Sequence, residues 1–562
     1  MEKIWLKEYP PGIPEEINPD TYSSIVEMLE QSCEKFAYRP AFYSLGTMIT
    51  FQQFEKASRH FAAYLQHELH LKKGDRIAIM LPNLLQYPIV MFGALRAGLI
   101  VVNVNPLYTV HELAYQLKDA WVETIVVVDN FAKTVEQALP ATPLKNIIVT
   151  QIGDLLPRPK AWLIHTVLKY IRKKIPAWHI PHAIDFRQIL LKNKMKHFQP
   201  VTIAPTDIAF LQYTGGTTGI SKGAVLTHRN MIANEAQAEA WFKPLFTPGQ
   251  EIIITALPLY HIFSLLANCL FISKIGGLNV FIANPRDIPT LIKEMKKFKF
   301  TAITGVNTLF NGLLKNPHFA KLDFSALKLS LGGGMAVQQI VAEKWQEVTH
   351  CPLLEAYGLT ETSPAVAVNP INIKTYNGSV GLPLPSTLVT ILDEYGKELP
   401  MGQSGELGVK GPQVMDGYWK NPAETAKVFT RDGWLLTGDI ASIDDKGFVH
   451  ILERKKDMIL VSGFNVYPNE VEDVLVKMPG IVEAAVIGIP DEHSGEIVKA
   501  FIVKSDPKLT AEDIIQYCYH ELTPYKVPKA IEFCKELPKT NVGKILRRAL
   551  RTQPYRDTIS PI

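Results

Sequence analysis

The sequence of 562 residues predicts an α/β protein with a large N-terminal domain of helix-covered sheets, a small β-rich subdomain and a small α+β C-terminal domain. Short apolar runs rich in β-branched residues alternate with helix-length segments from about residue 40 to 350, which is typical of parallel sheets covered by helices. From about residue 376 the chain changes to short strands separated by Gly, Pro and Asp turns, and a second change follows Arg454. A chain of this length is also too long for one core.

The individual elements are predicted from these patterns in chain order. Strands of the large domain are predicted at 76–80, 100–104, 124–128, 146–150, 252–256, 279–283 and 302–304, and two of its helices at 50–69 and 88–97. The β-rich part has predicted strands at 389–393 and 405–410. The tail has predicted helices at 469–477 and 511–520 and predicted strands at 483–488 and 498–503. The domain boundary is accordingly predicted between 1–455 and 456–562.

The composition is that of an ordinary soluble globular protein, with 47% hydrophobic and 20% charged residues. A net charge of +4 is small for this length and does not indicate nucleic-acid binding. The five cysteines form no CxxC pair, which indicates free thiols in a reducing compartment and no metal cluster. The N-terminus lacks the apolar core of a signal peptide, and the most apolar region, 265–283, is interrupted by polar residues and glycines. We therefore expect a cytoplasmic protein.

Residues 213–224, Tyr-Thr-Gly-Gly-Thr-Thr-Gly-Ile-Ser-Lys-Gly-Ala, predict a loop that grips phosphate. Glycines let the backbone N–H groups approach phosphate oxygens, threonines add hydroxyl donors, and Lys222 adds a positive charge. The loop follows a strand-like run at 208–213, where ligands of α/β sheets bind. The GxxxxGK[ST] spacing of a Walker A loop is absent from the sequence, which disfavours a P-loop kinase or ATPase. The alternative is a flexible basic surface loop.

His261 is predicted at the carboxyl edge of a sheet, because it closely follows the strand at 252–256. Its segment, 257–265, contains aromatic residues and no acidic residue. A buried charge needs a partner, and this segment offers no acidic partner to a buried ammonium group. The alternative is a structural histidine.

Residues 158–200 predict a basic amphipathic insertion. They contain ten Lys or Arg residues against one acidic residue, Asp185. Apolar positions 163, 164, 167, 168 and 171 would share one helical face, with tryptophans nearby, which suits an anionic membrane surface. The alternative is that the apolar stripe packs against the rest of the protein.

Further motifs occur at 332–336, 355–362, 433–440, 453–464 and 537–545. Together with the loop at 213–224 and the segment at 257–265, they resemble, in order, the motifs of the adenylate-forming (AMP-binding) superfamily. The resemblance covers about residues 20–555. Within the superfamily, the chain resembles the acyl-CoA synthetases for medium- or long-chain fatty acids. The family usually has proline where Ser221 stands.

The resemblance implies roles for individual residues. It implies that Tyr357 stacks on adenine, that Asp439 binds the ribose hydroxyls and that Lys456 is the hinge of a mobile C-terminal domain. Catalytic roles are implied for Lys544, His261, Thr217 and Glu361, and metal binding for Glu361 and Thr217. Nucleotide and cofactor binding is implied for Thr214, Gly215, Gly216, Thr217, Thr218, Gly219, Lys222, Gly333, Gly334, Glu355, Ala356, Tyr357, Gly358, Thr360, Asp439, Arg454, Lys456, Gly463 and Lys544.

The implied reaction is activation of a fatty acid by Mg²⁺ and ATP to an acyl-adenylate, followed by transfer to CoA with release of AMP and pyrophosphate. Within enzymes, the acyl group could instead pass to a carrier-protein thiol, or the adenylate could be used for light production. A non-catalytic lipid-binding protein on the same scaffold is the alternative from another class. The sequence leaves chain-length preference and oligomeric state open, and a dimer is compatible with it.

Overall fold

The computed structural model describes residues 3–191, 197–214, 221–491, 493–540 and 543–551. Its architecture confirms the predicted α/β class, with three sheets in the N-terminal part and one in the C-terminal part. Their cores are built from buried aliphatic and aromatic side chains that face the covering helices.

A seven-stranded sheet carries the strand before the glycine-rich loop. Its strands, in spatial order, are Ile184–Asp185, Asn146–Thr150, Thr124–Val128, Arg76–Met80, Ile100–Asn103, Ile208–Thr214 and Lys222–Thr227. All neighbours are parallel except the last two, which pair antiparallel. The central strands Thr124–Val128 and Ile100–Asn103 are buried along their whole length and mostly apolar, as expected for strands covered on both faces.

A nine-stranded sheet lies beside it. Its strands, in spatial order, are Leu382–Pro383, Ala365–Val368, Leu353–Gly358, Leu329–Gly333, Ala302–Gly305, Ile252–Thr255, Leu278–Phe281, Pro40–Ser44 and Thr47–Thr50. The six middle strands are parallel, so their carboxyl ends meet at one edge of the sheet.

Two smaller sheets complete the chain. An antiparallel sheet contains Leu388–Leu392, Gly405–Lys410, Leu435–Ile443 and Val449–Arg454. The C-terminal sheet contains Phe464–Val466, Ile459–Val461, Gly495–Lys504, Ile481–Asp491 and Ala530–Phe533. Both match the predicted change in texture after residue 376 and after Arg454.

Helices cover these sheets, and several begin at side-chain caps. The α-helices are Ile25–Lys35, Phe51–His67, Gln86–Arg96, Val110–Asp119, Ala132–Ala138, Arg158–Thr166, Phe186–Leu191, His228–Phe242, Ile262–Ser264, Phe271–Lys274, Ile288–Met295, Asn307–Leu314, Gln339–Thr349, Pro422–Val428, Pro468–Lys477, Ala511–Glu521 and Arg547–Arg551. Thr50 and Thr227 each form a capping box, which satisfies the first N–H groups of the helix that follows. A π-helical turn, Leu265–Leu270, joins Ile262–Ser264 to Phe271–Lys274.

The basic insertion is narrower than the predicted 158–200. Strand Ile184–Asp185 pairs with the seven-stranded sheet, and Phe186 and Ile189 are buried in its core. The preceding residues form the helix Arg158–Thr166 and the π-turn Val167–Ile171. The predicted apolar stripe is split there, because a π-turn does not keep the helical period of 3.6 residues.

In the described part of the chain, no helix combines the length and apolarity needed to cross a bilayer.

Candidate active site

One large cavity brings the predicted site residues together. Its volume is about 1330 Å³, and it lies where strands Leu329–Gly333 and Leu353–Gly358 end. The predicted residues that line it are Thr214, Lys222, His261, Gly333, Gly334, Glu355, Ala356, Tyr357, Gly358, Thr360, Glu361, Asp439, Arg454, Lys456 and Lys544. Gly215, Gly216, Thr217, Thr218 and Gly219 lie outside the described residues.

Asp439 is held from two sides. The hydroxyl of Tyr357 donates a hydrogen bond to its Oδ2 at 2.5 Å, and Arg454 Nε lies 2.7 Å from its Oδ1. Asp439 and Arg454 are direct partners across an antiparallel pair of strands, which explains their spacing in the sequence. The carboxylate is buried but keeps free lone pairs, because each of its oxygens can accept more than one hydrogen bond.

Glu361 and Lys222 each have a partner that was not predicted. The hydroxyl of Tyr418 donates to Glu361 Oε1 at 2.7 Å, and Lys222 forms an ion pair with Glu424. Tyr418 and Glu424 lie in or beside the short helix Pro422–Val428, far from both partners in sequence. The available sequence signal was modest: Asn421-Pro422 with Glu424 predicts a helix start, but not its location.

Gly358 allows close approach in the cavity wall, and Gly334 allows a left-handed backbone conformation there. A Cβ atom on Gly358 would lie 1.9 Å from the carbonyl oxygen of Pro364, far inside van der Waals contact with a backbone atom. Gly334 has φ +80°, and a Cβ there would lie 3.4 Å from Lys544 Cε. These glycines are therefore required by the geometry of the site.

Lys544 reaches the cavity from a C-terminal loop. The loop is closed by a hydrogen bond from Thr540 N–H to Lys544 O at 2.7 Å, and Thr308 of the N-terminal part donates to Gly543 O at 3.3 Å. Burial lowers the pKa of Lys544 to about 8, with the positive charge of Arg454 acting in the same direction and Asp439 opposing it. The ammonium group is thus mostly charged at neutral pH.

His261 forms part of an uncharged wall. Its Nδ1 accepts a hydrogen bond from the Phe263 N–H at 3.4 Å, which caps the helix that follows. Burial, assisted by the nearby charge of Lys544, lowers its pKa to about 3, so the imidazole is neutral. Apolar side chains continue this side of the cavity: Ala238, Phe242, Phe263, Leu266, Leu331 and Val368.

Glu355 lines the cavity as a largely buried carboxyl group. Its Oε1 accepts a hydrogen bond from Val337 N–H at 3.0 Å, and burial raises its pKa to about 8. This carboxyl group is therefore suited to donate a hydrogen bond near neutral pH.

Gly463 is not brought to the cavity. It lies on an exposed turn between strands Ile459–Val461 and Phe464–Val466, with φ +84°. Of the predicted site residues that the structure describes, it is the one that does not line the cavity.

Comparison with known proteins defines the class. The family model described as AMP-binding enzyme matches residues 29–419, and the model described as AMP-binding enzyme C-terminal domain matches residues 470–544. The chain belongs to this family, the adenylate-forming enzymes.

Particular relatives are similar along nearly the whole chain. A protein from Escherichia coli O6:H1 (strain CFT073), named long-chain-fatty-acid–CoA ligase, is 56% identical over 98% of both chains. A protein of the same name from Bacillus subtilis (strain 168) is 41% identical over 98% of both chains. The solved structure of ATP-bound MatB from Rhodopseudomonas palustris has a TM-score of 0.80 and 28% identity, covering 94% of this chain and 98% of its own.

Proposed function

We propose that this chain is an ATP-dependent fatty-acid–CoA ligase acting on long-chain acids. The observation that carries the proposal is the position of Lys544. It lies against Gly334, between the groups around Asp439 and the neutral wall around His261. A nucleotide and an apolar carboxylic acid bound in the same cavity would therefore both meet its ammonium group.

In the first half-reaction, a carboxylate oxygen of the fatty acid attacks the α-phosphorus of ATP. The bond from that phosphorus to the bridging oxygen breaks, and pyrophosphate leaves with the electron pair. Lys544 offsets the negative charge that develops on the α-phosphate, and Asp439 orients the nucleotide through the ribose. The neutral His261 and the apolar wall accept the acyl chain without burying an unpaired charge.

Mg²⁺ fits the proposed site. Glu361 lines the cavity and supplies a carboxylate oxygen, the kind of ligand that Mg²⁺ prefers, and this ion takes its remaining ligands from phosphates and water. When bound with ATP, the ion would neutralise phosphate charge. Thr217, the second predicted ligand, lies outside the described residues.

In the second half-reaction, the CoA sulfur attacks the acyl carbon, and AMP leaves with the acyl oxygen. The exposed position of Gly463 supports a rotation of residues 456–562 about Lys456 between the two steps. Such a rotation would withdraw Lys544 and bring the turn at Gly463 toward the cavity.

Acid-dependent exchange of labelled pyrophosphate into ATP tests the proposal, with a panel of saturated acids of different length. We expect exchange to be greatest with long-chain acids. Addition of CoA should then lead to release of AMP and formation of acyl-CoA. Absence of exchange would favour a lipid-binding protein. Exchange followed by acyl transfer to a carrier-protein thiol, with CoA inactive, would favour the other ligase class.

We also infer that the segment 158–174 contacts an anionic membrane surface. Its exposed apolar side chains are Trp162, Leu163, Tyr170 and Ile171, and its exposed basic side chains include Lys169, Arg172, Lys173 and Lys174. Apolar groups and positive charge on one projecting segment are complementary to anionic headgroups above an acyl layer. A long-chain acid must leave a bilayer to be used, which makes such a contact useful.

Vesicle co-sedimentation tests the membrane contact. Replacing the four basic residues with glutamine should weaken binding to anionic vesicles, by up to about 4 kcal/mol at about 1 kcal/mol per residue. A charge-matched control replaces the exposed lysines Lys35, Lys56, Lys118 and Lys321 with glutamine and should bind as the parent does. If parent and both variants stay in the supernatant at low salt, the segment is a solvated insertion.

A further inference from the structure

Glu424 is the partner of Lys222. Lys222 begins the strand that leaves the glycine-rich loop, and its Nζ contacts Glu424 Oε2. The same ammonium group lies 5.1 Å from the centroid of the Tyr418 ring. Lys222 is thus held over the ring by a carboxylate, on the wall of the cavity.

Glu424 is itself firmly placed. It lies in the first turn of the helix Pro422–Val428, where Asn421 Oδ1 accepts a hydrogen bond from its N–H at 3.1 Å. Lys427 Nζ lies 2.5 Å from its other oxygen, Oε1. Hydrogen bonds from Lys222 and then Lys427 lower the pKa of Glu424 to about 2, so it is ionised at any working pH.

The segment before this helix forms backbone hydrogen bonds with Glu361 and with the strand that carries Lys222. Met415 N–H donates to the carbonyl of Glu361 at 2.8 Å, and Trp419 N–H donates to the carbonyl of Gly223 at 2.8 Å. These backbone bonds fix the distance from the helix to the strand that carries Lys222. The ion pair therefore follows from the fold and is not a chance contact of two long side chains.

An ammonium group close to a carboxylate is largely neutralised by it. Polyphosphate offers the same ammonium group several anionic oxygens, so a phosphate contact and the Glu424 contact compete for one charge. A carboxylate that pairs with Lys222 in the nucleotide-free enzyme therefore weakens nucleotide binding. It also favours release of the polyphosphate that leaves.

We propose that Glu424 is a positioning residue that competes with polyphosphate for Lys222. It holds the lysine on the cavity wall in the nucleotide-free enzyme, yields it to ATP, and takes it back as pyrophosphate departs. The proposal rests on the proposed function, in which Lys222 contacts the phosphates of ATP.

Glu424→Gln tests the competition, because it removes the charge and keeps the size of the side chain. We expect KM for ATP and the inhibition constant for pyrophosphate to fall together by roughly twofold to fivefold, as for a partly exposed ion pair. The KM values for fatty acid and CoA should not change. Glu424→Asp restores the charge and should move both constants back toward the parent, and Glu394→Gln, an exposed acid elsewhere, should leave them unchanged.

A double-mutant cycle with Lys222→Ala separates competition from a merely structural role. The effect of Glu424→Gln on KM for ATP should vanish in the Lys222→Ala background, because the lysine that transmits it is gone. An equal effect in both backgrounds, or an unchanged or raised KM in the single variant, overturns the proposal. A parental KM for ATP in Lys222→Ala alone overturns the phosphate contact of Lys222 and this proposal with it. Acid-dependent pyrophosphate exchange by the parent would still support the ligase in either case.

Discussion

Lys544→Ala should separate the two half-reactions. In the proposed mechanism, the adenylation transition state needs the positive charge of Lys544. Thioester formation, which would follow rotation of the C-terminal domain, does not. At about 4 Å and an effective dielectric constant of about 20, two unit charges interact by about 4 kcal/mol. We therefore expect adenylation to fall by about 10²- to 10³-fold, in line with the loss of one preorganised donor.

The two steps are measured separately. Pyrophosphate exchange reports adenylation, and AMP release from supplied acyl-adenylate and CoA reports thioester formation. Lys539→Ala is a suitable control, since this lysine of the same loop pairs with Glu483. Equal losses in both half-reactions of Lys544→Ala would refute the assigned role.

The pH dependence follows from the same residue. The pKa of Lys544 is lowered to about 8, so at pH 9 only about one tenth of the free enzyme carries the charge. Adenylation at low ATP should therefore fall as pH rises through about 8. Because the pKa is lowered in the folded state, docking of this loop should become more favourable over the same range, not less. Saturating ATP should shift the falling limb to higher pH, since phosphate stabilises the ammonium form. A flat rate from pH 7 to 9.5 at low ATP would contradict this account.

Three further substitutions test other parts of the site. Glu361→Gln should raise the Mg²⁺ concentration needed for half-maximal adenylation, and a Mg²⁺ titration that matches the parent would show that Glu361 is not a ligand. Lys456→Pro should slow one half-reaction far more than the other, because proline fixes φ at the proposed hinge; unchanged kinetics in both steps would place the hinge elsewhere. Gly358→Ala should lower the thermal midpoint and raise KM for ATP, because its Cβ would meet Pro364 O at 1.9 Å; a variant with parental melting and KM would mean that the backbone relaxes there at little cost.

Most residues that line the cavity could be named from the sequence, because their motifs resemble, in order, those of the adenylate-forming family. A strand followed by glycines places the next side chains at a sheet's carboxyl edge, which is why Gly333 and Tyr357 meet there. Asp439 and Arg454 become partners through an antiparallel pairing that their spacing allows. These relations are short in sequence and depend on backbone geometry.

Relations between distant segments could not be predicted. Lys222 and Glu424 are 202 residues apart, and no periodicity links them. The predicted insertion, 158–200, is longer than the observed one for a similar reason. Phe186 and Ile189 are buried in the core because the sheet offers them apolar neighbours. Composition alone does not reveal those neighbours. Tertiary packing decides both cases.

The backbone at the end of strand Val449–Arg454 determines where a pivot can stand. Arg454 pairs with Asp439 through both side chain and strand register, and the ladder's last hydrogen bond runs from Lys455 N–H to Gly438 O at 2.9 Å. A pivot one or two residues earlier would break the pairing of this strand and loosen Asp439, the carboxylate that we propose binds the ribose. A rotation about the proposed hinge, Lys456, would leave the contact between Asp439 and Arg454 intact. AMP could then stay bound to the N-terminal part while the C-terminal domain rotates, because the proposed ribose contact does not move with that domain.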